Sequence, residues 1–195
     1  MEIRTDRVGV LIDQLLDSKQ LSADRMAGLT SDEYLWEPHA GMWSIRRRGE
    51  AATSQAFGAG DWVLDHDTSI GPFDPGPLTT IAWRIAHVTA GLAGRWEWTF
   101  GTRSVEPKVM VDFTPNADIA VQTLWGWVDS WAKSVEAMTD EQLDVPGFGA
   151  YPYGLDPEIP FIGIVRWVNR EFIHHMAEVA LMRDLYARSV DASGS

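Results

Sequence analysis

Two residues near the carboxyl end of the chain have the types and spacing of metal ligands. Glu171 and His175 are four residues apart, and two side chains at that spacing on a helix reach the same point beside it. The apolar residues around them recur at helical spacing and leave a gap at His175; they are Val165, Val168, Phe172, Val179, Met182 and Tyr186. Glu178 flanks the same face, and the neighbouring His174 is the alternative inward-facing histidine. Because an isolated buried carboxylate is costly unless it is paired or binds a cation, the pattern indicates a candidate divalent-metal site.

A third ligand must come from another part of the chain, since a catalytic metal site usually has about three protein ligands and an open position. His87 is the candidate, because it borders the apolar positions of a second helical segment, with Trp83 one turn before it and Gly91 one turn after it. The glycine would leave room for a ligand beside the histidine. Two simpler interpretations stay open. Glu171 and His175 could be a surface helix pair worth about 0.2–0.5 kcal/mol, and both histidines could be core residues.

The charge and composition exclude several other classes of site. The net charge of −12 disfavours nucleic acid and anionic membrane surfaces, because binding to them depends on Lys and Arg. The chain has no cysteine, which excludes a disulfide framework, a cysteine-ligated zinc site and a cysteine nucleophile. Charged residues interrupt the apolar stretches well short of the ~20 residues that a membrane span needs. With no leader-like segment at the amino terminus, we expect a cytoplasmic protein.

Four long segments with helical periodicity must position the candidate ligands. They cover, approximately, residues 4–29, 78–101, 116–138 and 160–188. Between the first two, the sequence of residues 30–33 has the capping-box pattern and predicts a short helix through Leu35. Asn116 is a good N-cap for the third long helix.

Two irregular stretches rich in glycine and proline, residues 39–77 and 146–160, separate these segments. The first carries several large apolar side chains, so we expect it to pack against the rest of the protein. No central sheet is predicted. The pattern is typical of an all-α four-helix bundle with long irregular loops between helices one and two and before helix four. We expect a single domain over residues 1–188 and a frayed tail over residues 189–195.

Three blocks of the sequence, in their order along the chain, resemble the DinB-like superfamily. They are EYLWEP (33–38) with WSIR (43–46), TIAWRIAH (80–87), and VNREFIHHMAE (168–178) followed by LMRDL (181–185). The resemblance implies an up-down-down-up bundle with a divalent metal held by His87 of the second helix and by Glu171 and His175 of the fourth. Members often have three histidines. With a glutamate at one position, this chain is similar to the branch related to mycothiol-dependent maleylpyruvate isomerase.

The resemblance also implies a function, since the family includes thiol S-transferases that use mycothiol, bacillithiol or related thiols. We therefore expect a metal-dependent thiol S-transferase or isomerase whose partners are a small-molecule thiol and an electrophilic substrate, and whose family often forms homodimers. Imidazole and carboxylate ligands suit several metals, of which zinc is our first expectation and nickel the second. Two alternatives remain: a non-catalytic metal- or ligand-binding stress-response protein with the same residues, and a structural helical dimer with no site.

Three further residues are candidates for a substrate or cofactor pocket. Trp43 and Arg46 lie in the long loop, and Trp83 lies one turn before His87. Arg46 begins a cluster of three arginines, which would suit a carboxylate-bearing ligand. The alternative interpretation is that these arginines pair with acidic surface residues and that Trp83 is a core residue. The substrate, the reaction and the catalytic residues are not predicted.

Overall fold

The long helical segments of the sequence form the helices of the bundle. The protein is described by a computed structural model over residues 4–69, 76–149 and 157–193. Its helices are α1 (Arg7–Met26), α2 (Ser31–Tyr34), α3 (Ile81–Thr99), α4 (Ala117–Glu136) and α5 (Phe161–Ser193), and its two strands are β1 (Ile45–Arg47) and β2 (Trp62–Leu64). The all-α fold class is confirmed. None of the helices in the described ranges is both long and apolar enough to cross a membrane.

Side-chain caps set the amino-terminal ends of these helices. Thr30 accepts a hydrogen bond from the backbone of α2, as the capping box predicts, and Asn116 accepts one from the backbone of α4. Thr80 caps α3 in the same way, so this helix begins at Ile81 rather than near Leu78. At the other end of the chain, α5 extends to Ser193 and not only to Arg188. Fraying of residues 189–195 stays a prediction.

The side-chain contacts show how the four long helices run. Arg25 of α1 pairs with Asp184 late in α5, and Asn169 early in α5 donates to the Leu11 carbonyl of α1, so α1 and α5 are parallel. The helix α4 is antiparallel to α1. Lys19, late in α1, pairs with Asp129, whereas Arg4, just before α1, pairs with Glu136 at the end of α4.

The helix α3 is antiparallel to α5, because Arg84 pairs with Glu178 while Arg95 lies over the ring of Trp167. The order is therefore up-down-down-up, with α3 and α4 parallel. The connection over residues 100–116 must return along the length of α3, which is about 28 Å for 19 residues.

The core lies between the four long helices and is built from their apolar stripes. Ile12 and Leu15 of α1, Leu124 and Trp131 of α4, and Phe172 of α5 are all fully buried. Burial of these apolar side chains supplies the main favourable contribution to folding. Helices α3 and α5 contact each other between the pair Arg84–Glu178 and the pair Arg95–Trp167, and the candidate ligands lie within this contact.

A small antiparallel sheet forms within the irregular stretch after α2, which the sequence did not indicate. Strand β1 pairs with β2 so that Ile45 lies opposite Leu64. Asp65 follows β2 and is fully buried, and its carboxylate accepts hydrogen bonds from Ser44 N, Arg46 Nε and Ala52 N. The expectation that the stretch packs is met over its described residues.

The amino-terminal end of α3 fastens this segment to the bundle. Trp43 N donates to the carbonyl of Leu78, and Thr80 N donates to the carbonyl of Trp43. The Thr80 hydroxyl also donates to Ser44 Oγ. These bonds place Trp43 beside the first turn of α3.

Candidate metal centre

Three side chains from the middle of α3 and α5 converge on one point. The ligand atoms of His87, Glu171 and His175 all lie within 4.8 Å of one another. His175 Nε2 is 3.6 Å from Glu171 Oε2, and the ring centroids of the two histidines are 4.9 Å apart. All three side chains are partly buried. The predicted ligand residues are therefore adjacent in the folded protein.

Helix periodicity explains why His175 and not His174 faces this point. Val168, Phe172 and Val179 are buried on the inner face of α5, and His175 continues that face. The side chain of His175 is 13% exposed, whereas that of His174 is 65% exposed.

An aromatic wall borders the cluster on the side of α3. The Trp83 ring stacks on His87, with centroids 4.7 Å apart and an angle of 9° between the planes. The Trp83 ring also meets the His175 ring edge-on, with centroids 6.3 Å apart. The ring of Trp43 lies next to that of Trp83, with centroids 6.2 Å apart. Trp83 Nε1 donates to the carbonyl of Asp65 at 2.8 Å, which fixes the ring in place. Of the pocket candidates, Trp83 thus lies beside the cluster, and Trp43 lies beside Trp83.

The electrostatics of the cluster favour a neutral His87. Burial and the nearby His175 lower the pKa of His87 to about 4. Burial would also lower the pKa of His175, but the nearby carboxylates of Glu171 and Glu178 outweigh burial and raise that pKa. The adjacent imidazole of His175 lowers the pKa of Glu171 despite burial. At neutral pH the cluster therefore combines the neutral imidazole of His87, the carboxylate of Glu171, and the imidazole of His175, which holds its proton to higher pH than an ordinary histidine.

The donor set and its spacing fit one divalent cation. A tetrahedral site with bonds of about 2.0–2.2 Å has ligand atoms roughly 3.3–3.6 Å apart, which matches the 3.6 Å between His175 Nε2 and Glu171 Oε2. Two imidazoles and one carboxylate are suitable ligands for zinc, nickel, iron or manganese. A Cβ on Gly91 would meet no heavy atom within 4 Å in the described part of the chain. A side chain one turn from His87 would therefore meet no other segment, and room for a ligand beside the histidine stays a prediction.

A second group of potential ligands shares His175. His174, His175 and Glu178 also have ligand atoms within 4.8 Å of one another. His175 Nδ1 is 2.8 Å from Glu178 Oε2, and His174 Nε2 is 3.5 Å from Glu178 Oε1. This group lies nearer the solvent, because His174 is exposed.

Arg46 is engaged within the long loop rather than at the cluster. Its guanidinium donates to Asp65 at 3.0 Å and to the carbonyl of Met42 at 2.7 Å, and it pairs with Glu37 at 2.8 Å. These contacts hold Arg46 within the loop. Arg46 pairs with acidic residues, one of which is buried, whereas Arg48 donates to backbone carbonyls and Arg47 lies over the Trp62 ring. Binding of an anion by Arg46 stays a prediction.

Two features near the cluster were missed or undervalued in the sequence. His66 of the long loop is partly buried against Phe57, and a charge on it would act on His87 to lower that residue's pKa. Arg84 pairs with Glu178 at 2.8 Å. Arg84 lies three residues before His87 and Glu178 three residues after His175, so the antiparallel register that places the two histidines side by side also brings this pair together.

Comparison with known protein families gives a match. A sequence model of the DinB superfamily matches residues 54–179, which is more than half of the chain. The matched range contains His87, Glu171 and His175, whereas Trp43 and Arg46 lie before it. No curated protein and no solved structure matches the chain.

Proposed function

The chain belongs to the DinB superfamily, and from that premise we propose that it binds one divalent metal ion through His87, Glu171 and His175 and uses it in thiol S-transfer or isomerisation. The observation that supports this most directly is the convergence of the three ligand atoms within 4.8 Å. Zinc is the first expectation for the metal and nickel the second. A homodimer and a cytoplasmic location stay predictions.

The charge of the site suits activation of an acidic group. Two neutral imidazoles and one carboxylate leave a divalent site with a net charge near +1, and a bound cation would lower the pKa of a water or thiol beside it. Because the chain has no cysteine, the thiol would come from a low-molecular-weight cofactor such as mycothiol. An electrophilic small molecule would be the second substrate.

The residues around the cluster have separate tasks in this proposal. Trp83, stacked on His87, holds that imidazole in one orientation and excludes water from one side. Trp43 extends the same wall. Open space at Gly91 gives the thiol or its partner room beside the ligands.

Metal content measured after reconstitution tests the binding step. Wild-type protein should retain about one equivalent of zinc or nickel after desalting, and His87→Ala, Glu171→Ala and His175→Ala should each lose most of it. His39→Ala is the matched control, because His39 is exposed and contacts its neighbour's carbonyl. A wild-type protein that binds no metal after reconstitution would overturn the proposal.

Turnover is measured separately on the loaded protein. With mycothiol or bacillithiol and an electrophile such as maleylpyruvate or chlorodinitrobenzene, the free thiol should be consumed, or the isomer formed, faster than with His87→Ala. Metal binding without any turnover over a panel of thiols and electrophiles would support the non-catalytic metal-binding alternative and reject the enzyme.

A further inference from the structure

The hydrogen bond between His175 and Glu178 determines which imidazole nitrogen carries the proton. His175 Nδ1 lies 2.8 Å from Glu178 Oε2. An ionised carboxylate only accepts hydrogen bonds, so Nδ1 is the protonated nitrogen. In the neutral imidazole the lone pair is then on Nε2, the atom that lies 3.6 Å from Glu171 Oε2.

Arg84 holds the Glu178 carboxylate in this position. Arg84 Nε donates to the same oxygen, Glu178 Oε2, at 2.8 Å. Arg84 Nη1 donates to the carbonyl of Thr79, just before α3, so both ends of the guanidinium are engaged. The Arg84 side chain is only 13% exposed. Glu178 Oε2 thus has two donors, one from each of the packed helices.

The two groups of potential ligands compete for His175 through opposite nitrogens. Binding with His87 and Glu171 requires a free Nε2, whereas binding with His174 and Glu178 requires a free Nδ1. The donors on Glu178 Oε2 favour the first arrangement. The second would also need His174, whose side chain is 65% exposed, to be held in one orientation.

We propose that Glu178 is a positioning residue and not a ligand: anchored by Arg84, it keeps the proton of His175 on Nδ1 and thereby directs Nε2 to the metal site with His87 and Glu171. This rests on the proposed metal binding, and it identifies a triad of Arg84, Glu178 and His175. Carboxylates that accept a hydrogen bond from a ligating histidine fix its tautomer and ring orientation, and their loss typically costs about 10–100-fold in metal affinity.

Nitrogen-15 NMR of the metal-free protein tests the tautomer without any metal. At a pH where His175 is neutral, the wild type should show His175 in the Nδ1–H form. Glu178→Ala should shift it toward the Nε2–H form, and Glu178→Gln should restore Nδ1–H, because the amide oxygen still accepts the hydrogen bond. An Nε2–H tautomer in the wild type would overturn the proposal.

Metal affinity is the second readout. Glu178→Ala should weaken binding about 10–100-fold while the stoichiometry stays at about one, and Glu178→Gln should recover most of the loss. Asp184→Asn, a change to an exposed paired carboxylate on the same helix, is the matched control and should bind as the wild type does. If Glu178→Gln loses metal as completely as Glu178→Ala while Glu171→Gln has no effect, Glu178 is a ligand and the proposal is wrong.

The two proposals fail in different ways. A wild type that binds no metal overturns the proposed function. The NMR measurement needs no metal, so it still shows whether Glu178 keeps the proton of His175 on Nδ1. Thermal unfolding of each variant shows whether a loss of metal reflects a loss of fold, and the Glu178→Gln variant keeps the same shape and volume at that position.

Discussion

Metal binding should release about one proton at pH 5.5, although two histidines are proposed as ligands. The reason is the difference between their environments. Burial and His175 lower the pKa of His87 to about 4, so roughly 3% of it is protonated at pH 5.5. An imidazole with the ordinary pKa of about 6.5 would be roughly 90% protonated.

The other two groups complete this prediction. The carboxylates of Glu171 and Glu178 raise the pKa of His175 above its ordinary value in spite of burial, so it carries its proton at pH 5.5 and must release it on binding. The pKa of Glu171 is lowered, so it is already ionised. Two ordinary histidines would together release about 1.8 protons.

Isothermal titration calorimetry in two buffers that differ in ionisation enthalpy measures this number directly. The slope of the observed enthalpy against the buffer ionisation enthalpy should give about one proton at pH 5.5. His39→Ala, which removes an exposed histidine outside the cluster, should give the same value. A release near two protons would show that His87 is charged in the metal-free protein, which would refute the reasoning from burial.

Three further predictions concern stability. Arg183→Met should destabilise the protein by about 3–5 kcal/mol, because it leaves the buried Glu33 carboxylate without its partner at 2.7 Å, and adding Glu33→Gln should recover part of this in urea unfolding. Gly58→Ala should destabilise the protein, since the new Cβ would lie 2.6 Å from a backbone carbonyl oxygen. Gly91→Ala should stabilise the protein by about 0.5–1 kcal/mol, since the new Cβ enters open space on a helix. The melting temperatures of the two variants should therefore move in opposite directions. The pKa of His87 is lowered to about 4 in the folded protein. The contribution of His87 to the free energy of unfolding is therefore fully present above about pH 6.5, its pKa in the unfolded chain, and is lost as the pH falls toward 4. The loss of stability of the metal-free protein over that range should therefore be smaller in His87→Gln.

The helices were predictable because their signals are local. Thr30 and Asn116 cap the helices where the pattern placed them, and the phase of the apolar positions in α5 accounts for a buried His175. The start of α3 was placed about three residues early, because the capping hydroxyl of Thr80 outweighs the apolar Leu78, which is left 60% exposed.

What could not be predicted depends on contacts between distant segments. Strands β1 and β2 have three residues each, too few for an alternating pattern to be recognised. The role of Asp65 follows from its burial against Ser44 and Arg46, and neither residue is near it in sequence. The pairing of Arg84 with Glu178 requires the register of α3 against α5, which helical periodicity alone does not determine.

The ligands and the wall of the site have different structural origins, and Trp83 joins them. The proposed ligands project from two long helices packed along their length, which hold them by core contacts. The outer wall comes from the loop that carries Trp43, held by buried hydrogen bonds to Asp65. Trp83 stacks on His87 and donates to the Asp65 carbonyl. A shift of the loop would therefore move the Trp83 indole and, through it, the imidazole of His87. Changes in the loop should therefore alter which ligand fits beside the site more than whether the metal binds, because they leave the α3–α5 contact intact.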